Sequence, residues 1–318
     1  MLRYMIKRFL YAFPTLLFII FIVFLFLHLV PGDPAQVMLG VGASEADIAA
    51  LREKLGLNKP LIVQFSRYVT GVLRGELGDS FAYRKGVAQV VLERFPATLE
   101  LTFAAMILAC CIGIPLGVES SLRQHSSFDF LCRVIALVGV SFPVFWLAIQ
   151  LMYLFAVILH LLPLSGRGGP VYTWNGLTHI ILPAVALSSI MLPSTMRLTR
   201  SSMLEVLNQE YITVARSKGL REIVVVYKHA LKNAVIPVIT NIGLQFGMLL
   251  GGAFLTEHVF AWPGIGQLTV NAIFRRDFPV VQGVILVTAL AFLVLNILVD
   301  ISYAYFDPRV RHEMVKNA

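Results

Sequence analysis

The stretch SSMLEVLNQEYITVARSKGLREIVVVYKHALKNAVIP (Ser201–Pro237) decides how the rest of the chain is read. It is polar and basic, yet it lies between two strongly apolar runs. Within it, apolar residues recur at Met203, Leu204, Val206, Leu207, Tyr211, Ile212 and Ala215, three or four apart. That spacing predicts an amphipathic helix. Gly219 ends the pattern as a C-terminal glycine does, and a positive φ is expected there. A second helical run is expected over residues 222–233, with Lys228 and Lys232 four apart on one face. Helix, glycine and helix between two apolar runs describe a structured loop rather than a linker.

The composition around this loop places it in a membrane protein. Of the 318 residues, 58% are hydrophobic and 14% charged, and the mean hydropathy is +0.79. Ordinary soluble domains carry about 25% charged residues. Apolar runs cover about residues 9–30, 97–118, 134–159, 177–196, 235–256 and 280–299. Each is close to the roughly 17–25 residues needed to cross the hydrocarbon layer. The expected fold class is therefore all-α: a polytopic membrane protein of six transmembrane helices. The expected divisions are an N-terminal helix (1–30), an external insert (31–95) and a five-helix core (96–318) that contains the polar loop 201–235.

The insert opens on the turn PGDPAQ. Ser44, Asp47 and Gly56 mark the start and end of one short helix. A second is expected after Pro60, with Leu61, Phe65, Tyr68, Val69 and Val72 on one side, and a third within residues 76–95. The first apolar run is longer than a signal peptide's core and ends in Pro-Gly-Asp-Pro, so it is read as an anchoring span.

The net charge of +8 is explained by topology better than by nucleic acid. Lys and Arg number three in the head, two in the 119–133 loop, seven in the 197–234 loop and three in the tail, fifteen in all. The short loops of the opposite face hold Arg167, Arg275 and Arg276, and the long insert holds the remaining eight, but inserts longer than about 60 residues follow the rule poorly. Positive charge accumulates on the cytoplasmic side. Both termini and the 201–235 loop are therefore expected on the cytoplasmic side.

The residues that carry chemistry in enzymes are missing. There is no zinc-protease motif, no nucleophile elbow and no phosphate-cradling GxxxxGK[ST] loop. An ATP-driven role would need the ATPase on another protein, and no cofactor or metal is expected on this chain. Cys110, Cys111 and Cys132 have no metal-ligand spacing and read as apolar fillers. Acidic and basic residues are absent from the middles of the six runs, where a proton or ion relay needs them. That argues against a self-powered secondary transporter. A membrane receptor or scaffold without transport is the rival of another class. His28 and His160 sit near run ends, and His179 and Gln245 are weaker candidates for a polar pathway.

Two packing features stand out. Gly243, Gly247 and Gly251 form a doubled GxxxG in the fifth run, and Gly113 and Gly117 a single one in the second. Such spacing lets helices approach closely, within one subunit or between two. The segment TEHVFAWPGIGQLTVNAIFRRDFPVVQG, with Phe260, Trp262, Pro263 and Gly264, fits either a loop dipping into the mouth of a pathway or an interfacial aromatic belt.

The loop 201–235 resembles the cytoplasmic loop by which permease subunits of bacterial ABC importers dock onto their ATPases. That family's pattern is Glu-Ala-Ala, three residues, Gly, nine residues, then Ile-x-Leu-Pro. Aligned on Gly219, Ala215 and Leu231 also match. Thr213, Val214, His229 and Lys232 stand where the pattern has glutamate, alanine, isoleucine and proline. The variant ARSKGL…HALKNAVIP is similar to the peptide, nickel and glutathione branch. So are PGDPA, LGL-x-x-PL and G-x-LG-x-S in the insert, E-x-V-F-x-WPG-x-G followed by RD-x-PV-x-Q, and the Asp307-Pro308-Arg309 tail. The resemblance covers nearly the whole chain.

It implies a place in a bacterial inner (plasma) membrane, as the pathway-forming permease of an importer for dipeptides, oligopeptides, glutathione, nickel chelates or opines, working by alternating access. It implies a second, homologous permease subunit forming a heterodimer, two cytoplasmic ATPase subunits that carry the ATP, and a periplasmic or lipid-anchored substrate-binding protein. Membrane lipid surrounds the chain, and no nucleic acid is involved. Tyr211, Thr213, Ala215, Arg216, Gly219 and Leu231 are the expected ATPase-coupling residues.

Overall fold

A computed structural model describes residues 13–25, 33–40 and 42–306. The basic head, His28, both ends of the first expected span and the Asp307-Pro308-Arg309 tail lie outside them. The chain is all-helical, apart from one isolated bridge between Asp79 and Gly86 among the described residues. It clusters into two compact units. Of the described residues, one unit contains those up to 97 together with 263–294, the other 98–262 with 295–306.

In the first unit, α1 (Phe13–Leu25) buries Ile20 and Val23 with Leu286 of α13 (Phe278–Phe306). Three helices of the insert follow: α2 (Pro34–Leu39), α3 (Glu45–Leu55) and α4 (Leu61–Arg74). The cap at Ser44 forms as expected. Its Oγ accepts from Asp47 N at 3.1 Å, and Gly56 ends α3 at φ 70°. Along α4, Phe65, Tyr68, Val69 and Val72 turn inward onto the Ile20–Val23–Leu286 core. Phe65 meets Phe24 edge-on, with centroids 5.3 Å apart. A cavity of about 370 Å³ lies beside this packing, lined by Phe24, Leu57, Arg67, Tyr68, Leu77 and Gln282 among others.

Residues 76–86 form no third helix. Glycines at Gly75 and Gly78 take φ of 77° and 84°, and the bridge to Gly86 closes a turn. Ser80 Oγ donates to Asp277 Oδ2 at 2.6 Å, and the amide of Ala82 donates to the same oxygen at 3.0 Å. Both Ser80 and Asp277 are buried. Gln282 Nε2 donates to the Val23 carbonyl at 2.9 Å. The turn and the first span are thus fastened to the start of α13. The last short helix of this unit, α12 (Ile265–Phe274), precedes that anchor.

In the second unit the long helices pack closely. The helix α5 runs Val87–Leu122, 36 residues, ten residues further upstream than the apolar run alone predicts. The helix α8 runs Trp174–Leu207 and carries Pro183 and Pro193 inside it. Gly117 of α5 lies so near α8 that an added Cβ would sit 2.6 Å from the Met196 carbonyl oxygen and from Thr199 Cβ. Gly113 makes a similar contact one turn earlier.

The apolar run 134–159 is broken. The helix α6 (Ser127–Ser141) stops before Pro143, and α7 (Val144–Met152) starts after it, continued by a π-helical turn over Tyr153–Ile158. The two arms are bent by 101°. A residue before proline is pushed out of the helical region, and Phe142 has φ −95° and ψ 136°. The described residues therefore hold four helices long and apolar enough to span a membrane, or five when the bent pair counts as one.

The cysteines are free. Cys132 is buried beside Ala136 and Met196, Cys110 is half-buried, and Cys111 is exposed on its apolar helix.

Candidate functional site

The polar loop after α8 folds as α9 (Glu210–Ser217), Gly219 at φ 72°, and α10 (Glu222–Val224). The expected helix end at Gly219 is present: Lys218 N donates to Val214 O and Gly219 N to Arg216 O. No break separates the second run from the fifth span. A π-helical turn over Val225–Ala230 leads directly into α11 (Leu231–Val259). Residues 222–233 contain neither glycine nor proline to stop it.

The loop is seated by apolar burial. Met203, Ile212, Ala215, Val225, Val226, Ala230 and Ala234 bury together with Val118 of α5, and Leu231 packs against them. Ile212, Met203 and Val225 are fully enclosed, each contributing about 1.5–3 kcal/mol. Polar fasteners lie outside this core. The Arg216 guanidinium donates to both oxygens of Glu222 at 2.7 and 3.2 Å, and Asn233 Nδ2 donates to the Tyr211 hydroxyl at 2.8 Å. The nearby Glu222 carboxylate raises the Arg216 pKa still further above its ordinary value.

The six expected coupling residues thus divide by burial. Ala215 and Leu231 help to seat the loop, while Tyr211, Thr213, Arg216 and Gly219 are exposed. Around them an apolar surface is left open: Tyr211, Val214, Leu220, Ile223 and Tyr227 are all 40–60% exposed. A polar loop presenting five large apolar side chains is suited to a protein partner.

The other expected sites fall differently. Gly251 is exposed, and an added Cβ would meet nothing. Gly243 and Gly247 lie on the same helix, partly exposed. Between α5 and α8, the close approach that glycine permits is at Gly113 and Gly117. Phe260, Trp262 and Gly264 are buried and Pro263 partly so. Within this chain these residues are packed core rather than a surface belt. Phe260 packs with Ala148, Leu182 and Ala186. Gln245 and Asn241 both donate to Ser194 Oγ, at 2.8 and 3.1 Å. His179 Nδ1 bonds within its own turn to the Asn175 carbonyl. His160 is exposed. Among the described residues, no group of three or more His, Cys, Asp or Glu is placed to hold a metal ion.

Sequence reading missed the charged residues that meet at the helix ends. Asp129, fully buried, accepts from Arg200 at 2.7 and 2.9 Å and from Ser120 at 2.6 Å. This ties α6 and α5 to the part of α8 that leads into the loop. Toward the other end of α5, Thr98 Oγ1 donates to buried Glu257 of α11 at 2.6 Å. Glu100 pairs with Arg167 at 2.6 Å and accepts the amide of Val171 at 3.2 Å. Gly166 N donates to the Phe260 carbonyl at 2.7 Å. The segment between the π-helical turn of Tyr153–Ile158 and α8 is therefore fastened to both α5 and α11.

Comparisons with known proteins agree over the full length. Two family descriptions match: "Binding-protein-dependent transport system inner membrane component" over residues 111–312, and the N-terminal component of the same system over residues 1–102. The dipeptide transport system permease protein DppB of Alkalihalophilus pseudofirmus is 45% identical over 98% of this chain and 100% of its own. The glutathione transport system permease protein GsiC of Salmonella paratyphi A is 43% identical with the same coverage of both chains. Among solved structures, an inward-facing MetNI methionine ABC transporter is similar with a TM-score of 0.57 at 16% identity. That match covers 69% of this chain and 97% of the other, and it shows a shared fold.

Proposed function

This chain belongs to the family of binding-protein-dependent transport system inner membrane components, and we propose that it forms the pathway of an importer for short peptides. It is the permease subunit of an ABC importer, a multi-pass inner-membrane protein and not an enzyme. ATPase partners and a substrate-binding protein come with the family.

The finer reading rests on the loop after α8. Its apolar inner face is committed to the chain's own core, and its apolar outer face is open. In this reading two cytoplasmic ATPases clamp that outer face, and closure of the ATPase pair by ATP shifts the spans. A contact changes an equilibrium only if its energy differs between the two states, and a seated, exposed helix pair can supply that difference. A second, homologous permease completes a heterodimer, and the exposed stripe of Leu244, Met248, Gly251 and Leu255 on α11 is a surface for it. In the same reading the chain has six spans, the first at 9–30, with both termini and the loop in the cytoplasm, and the excess of Lys and Arg in the short loops of that face supports it.

Short peptides are favoured because the two relatives carry dipeptide and glutathione in their names. Nickel chelates and opines are then poorer substrates.

Two measurements test this reading. In a cysteine-free background, Lys218→Cys should react with an impermeant thiol reagent only from inside, and Lys54→Cys only from outside. Labelling of both from one side overturns the topology. Titration of the partner binding protein with dipeptides, glutathione and a nickel chelate tests the substrate class, and tight binding of the chelate alone overturns the peptide assignment.

A further inference from the structure

The segment of residues 160–173 is a strap. It leaves the π-helical turn at His160 (φ 51°) and reaches α8 at the Thr173 cap, whose Oγ1 accepts from Gly176 N at 3.1 Å. Internal bonds fold it: Asn175 Nδ2 donates to the Gly168 carbonyl and Thr173 Oγ1 to the Pro170 carbonyl, both at 2.7 Å. Two further attachments reach other helices. One is the backbone bond from Gly166 to Phe260, at the end of α11. The other is Glu100 of α5, one oxygen on Arg167 and the other on the Val171 amide.

We propose that Glu100 and Arg167 form a latch that holds the external end of the transport pathway shut and must separate before substrate enters. The proposal rests on the importer reading and on the strap facing outside. The Glu100 side chain is 18% exposed and that of Arg167 32%, at the end of an apolar span. In such a half-dry setting the attraction between two charges is several times its value in water. Once water enters, both ions are solvated and an exposed pair is worth about 0–1 kcal/mol. The latch is therefore strong when shut and weak when open, which is the state-dependent energy a gate needs.

In this proposal α11, which carries Pro237 in its second turn, connects the loop after α8 to the strap. The helix α11 begins at Leu231, against the seat of the docking loop, and ends at Val259 beside Phe260. Its 29 residues make about 43 Å at 1.5 Å per residue. Movement of the docking loop at one end of α11 reaches the strap bond and the Glu257–Thr98 bond at the other.

The experiment uses the complete importer in proteoliposomes, with both permeases, ATPases and binding protein. E100Q and R167Q should each raise ATP hydrolysis without binding protein by about fivefold, a coupling of about 1 kcal/mol. Both should lower substrate imported per ATP. The exchange E100R/R167E restores the ion pair but leaves the Val171 amide without its acceptor, so it should recover part of the loss. Arg167 lies on a loop, and Val171 still holds Glu100 in R167Q, so this variant remains informative if E100Q fails to accumulate. Wild-type basal hydrolysis and wild-type import per ATP in R167Q overturn the latch. Tyr172, 91% exposed, separates the two readings. If Tyr172→Cys labels from outside while R167Q stays coupled, the latch alone fails. If it labels only from inside, the external assignment fails first and takes the latch with it.

Discussion

Residues 76–86 of the insert and residues 209–230 of the loop after α8 are both polar segments between helices, and both turn on a left-handed glycine. Gly78 has φ 84° and Gly219 φ 72°. They are held in opposite ways. The insert turn is fixed by polar bonds in a dry place, with Ser80 and Ala82 donating to one oxygen of Asp277, and Ser80 and Asp277 only 3% and 1% exposed. The loop after α8 keeps its polar bonds in solvent, where the side chains of Arg216 and Glu222 are 45% and 58% exposed. Its firm hold is apolar and faces inward. A buried polar bond is modest when made and costly when broken, so it suits a joint that never opens. An exposed pair can be exchanged for a partner's groups at little cost, so it suits a surface that changes occupants.

Three substitutions sharpen this contrast, ordered by their effect on stability. Asp277→Ala strands two donors, one of them fully buried, at about 1–3 kcal/mol each. The chain should lose most of its membrane abundance by quantitative immunoblot. A variant that accumulates normally and melts at the wild-type temperature would show that the insert turn is not fixed by this joint. Gly219→Val meets no neighbouring atom, so only backbone strain remains, about 1–2 kcal/mol. Abundance should stay near normal while the ATPases fail to co-purify and uptake is lost. Wild-type uptake at matched abundance would remove the loop from the mechanism. Arg216→Ala removes an exposed pair worth less than about 1 kcal/mol. The melting temperature should not move measurably, and uptake should fall by less than about half. A melting shift as large as that of Asp277→Ala would erase the distinction between the two segments.

The sequence carried local patterns well and distant pairings not at all. Ser44, Gly56 and Gly219 announce helix ends because a cap is decided by residues three or four apart. The break at Phe142 also had a signal, Pro143, but it sits inside an unbroken apolar run whose length alone fits one span. The continuity of residues 222–259 was hidden because a change from polar to apolar composition looks like a boundary. Glu100 and Arg167 lie 67 positions apart, Ser80 and Asp277 197 apart, and no periodicity links them. The aromatic stretch around Trp262 was ambiguous for a different reason. Phe, Trp and Pro serve a membrane belt and a packed core equally, and burial, not composition, separates the two.

The joint between Ser80 and Asp277 also sets a timetable. Ribosomes add about 5–20 residues per second, so the 197 positions between the two residues take about 10–40 s to make. For that interval the newborn insert stands without its closing partner. Ser80 must wait for the last helix to arrive, and until then the Gly78 turn is open to proteases and to wrong partners. Slowing translation between codons 80 and 277 should therefore increase degradation of the unfinished chain, and a nascent chain truncated before Asp277 should be cut within the insert.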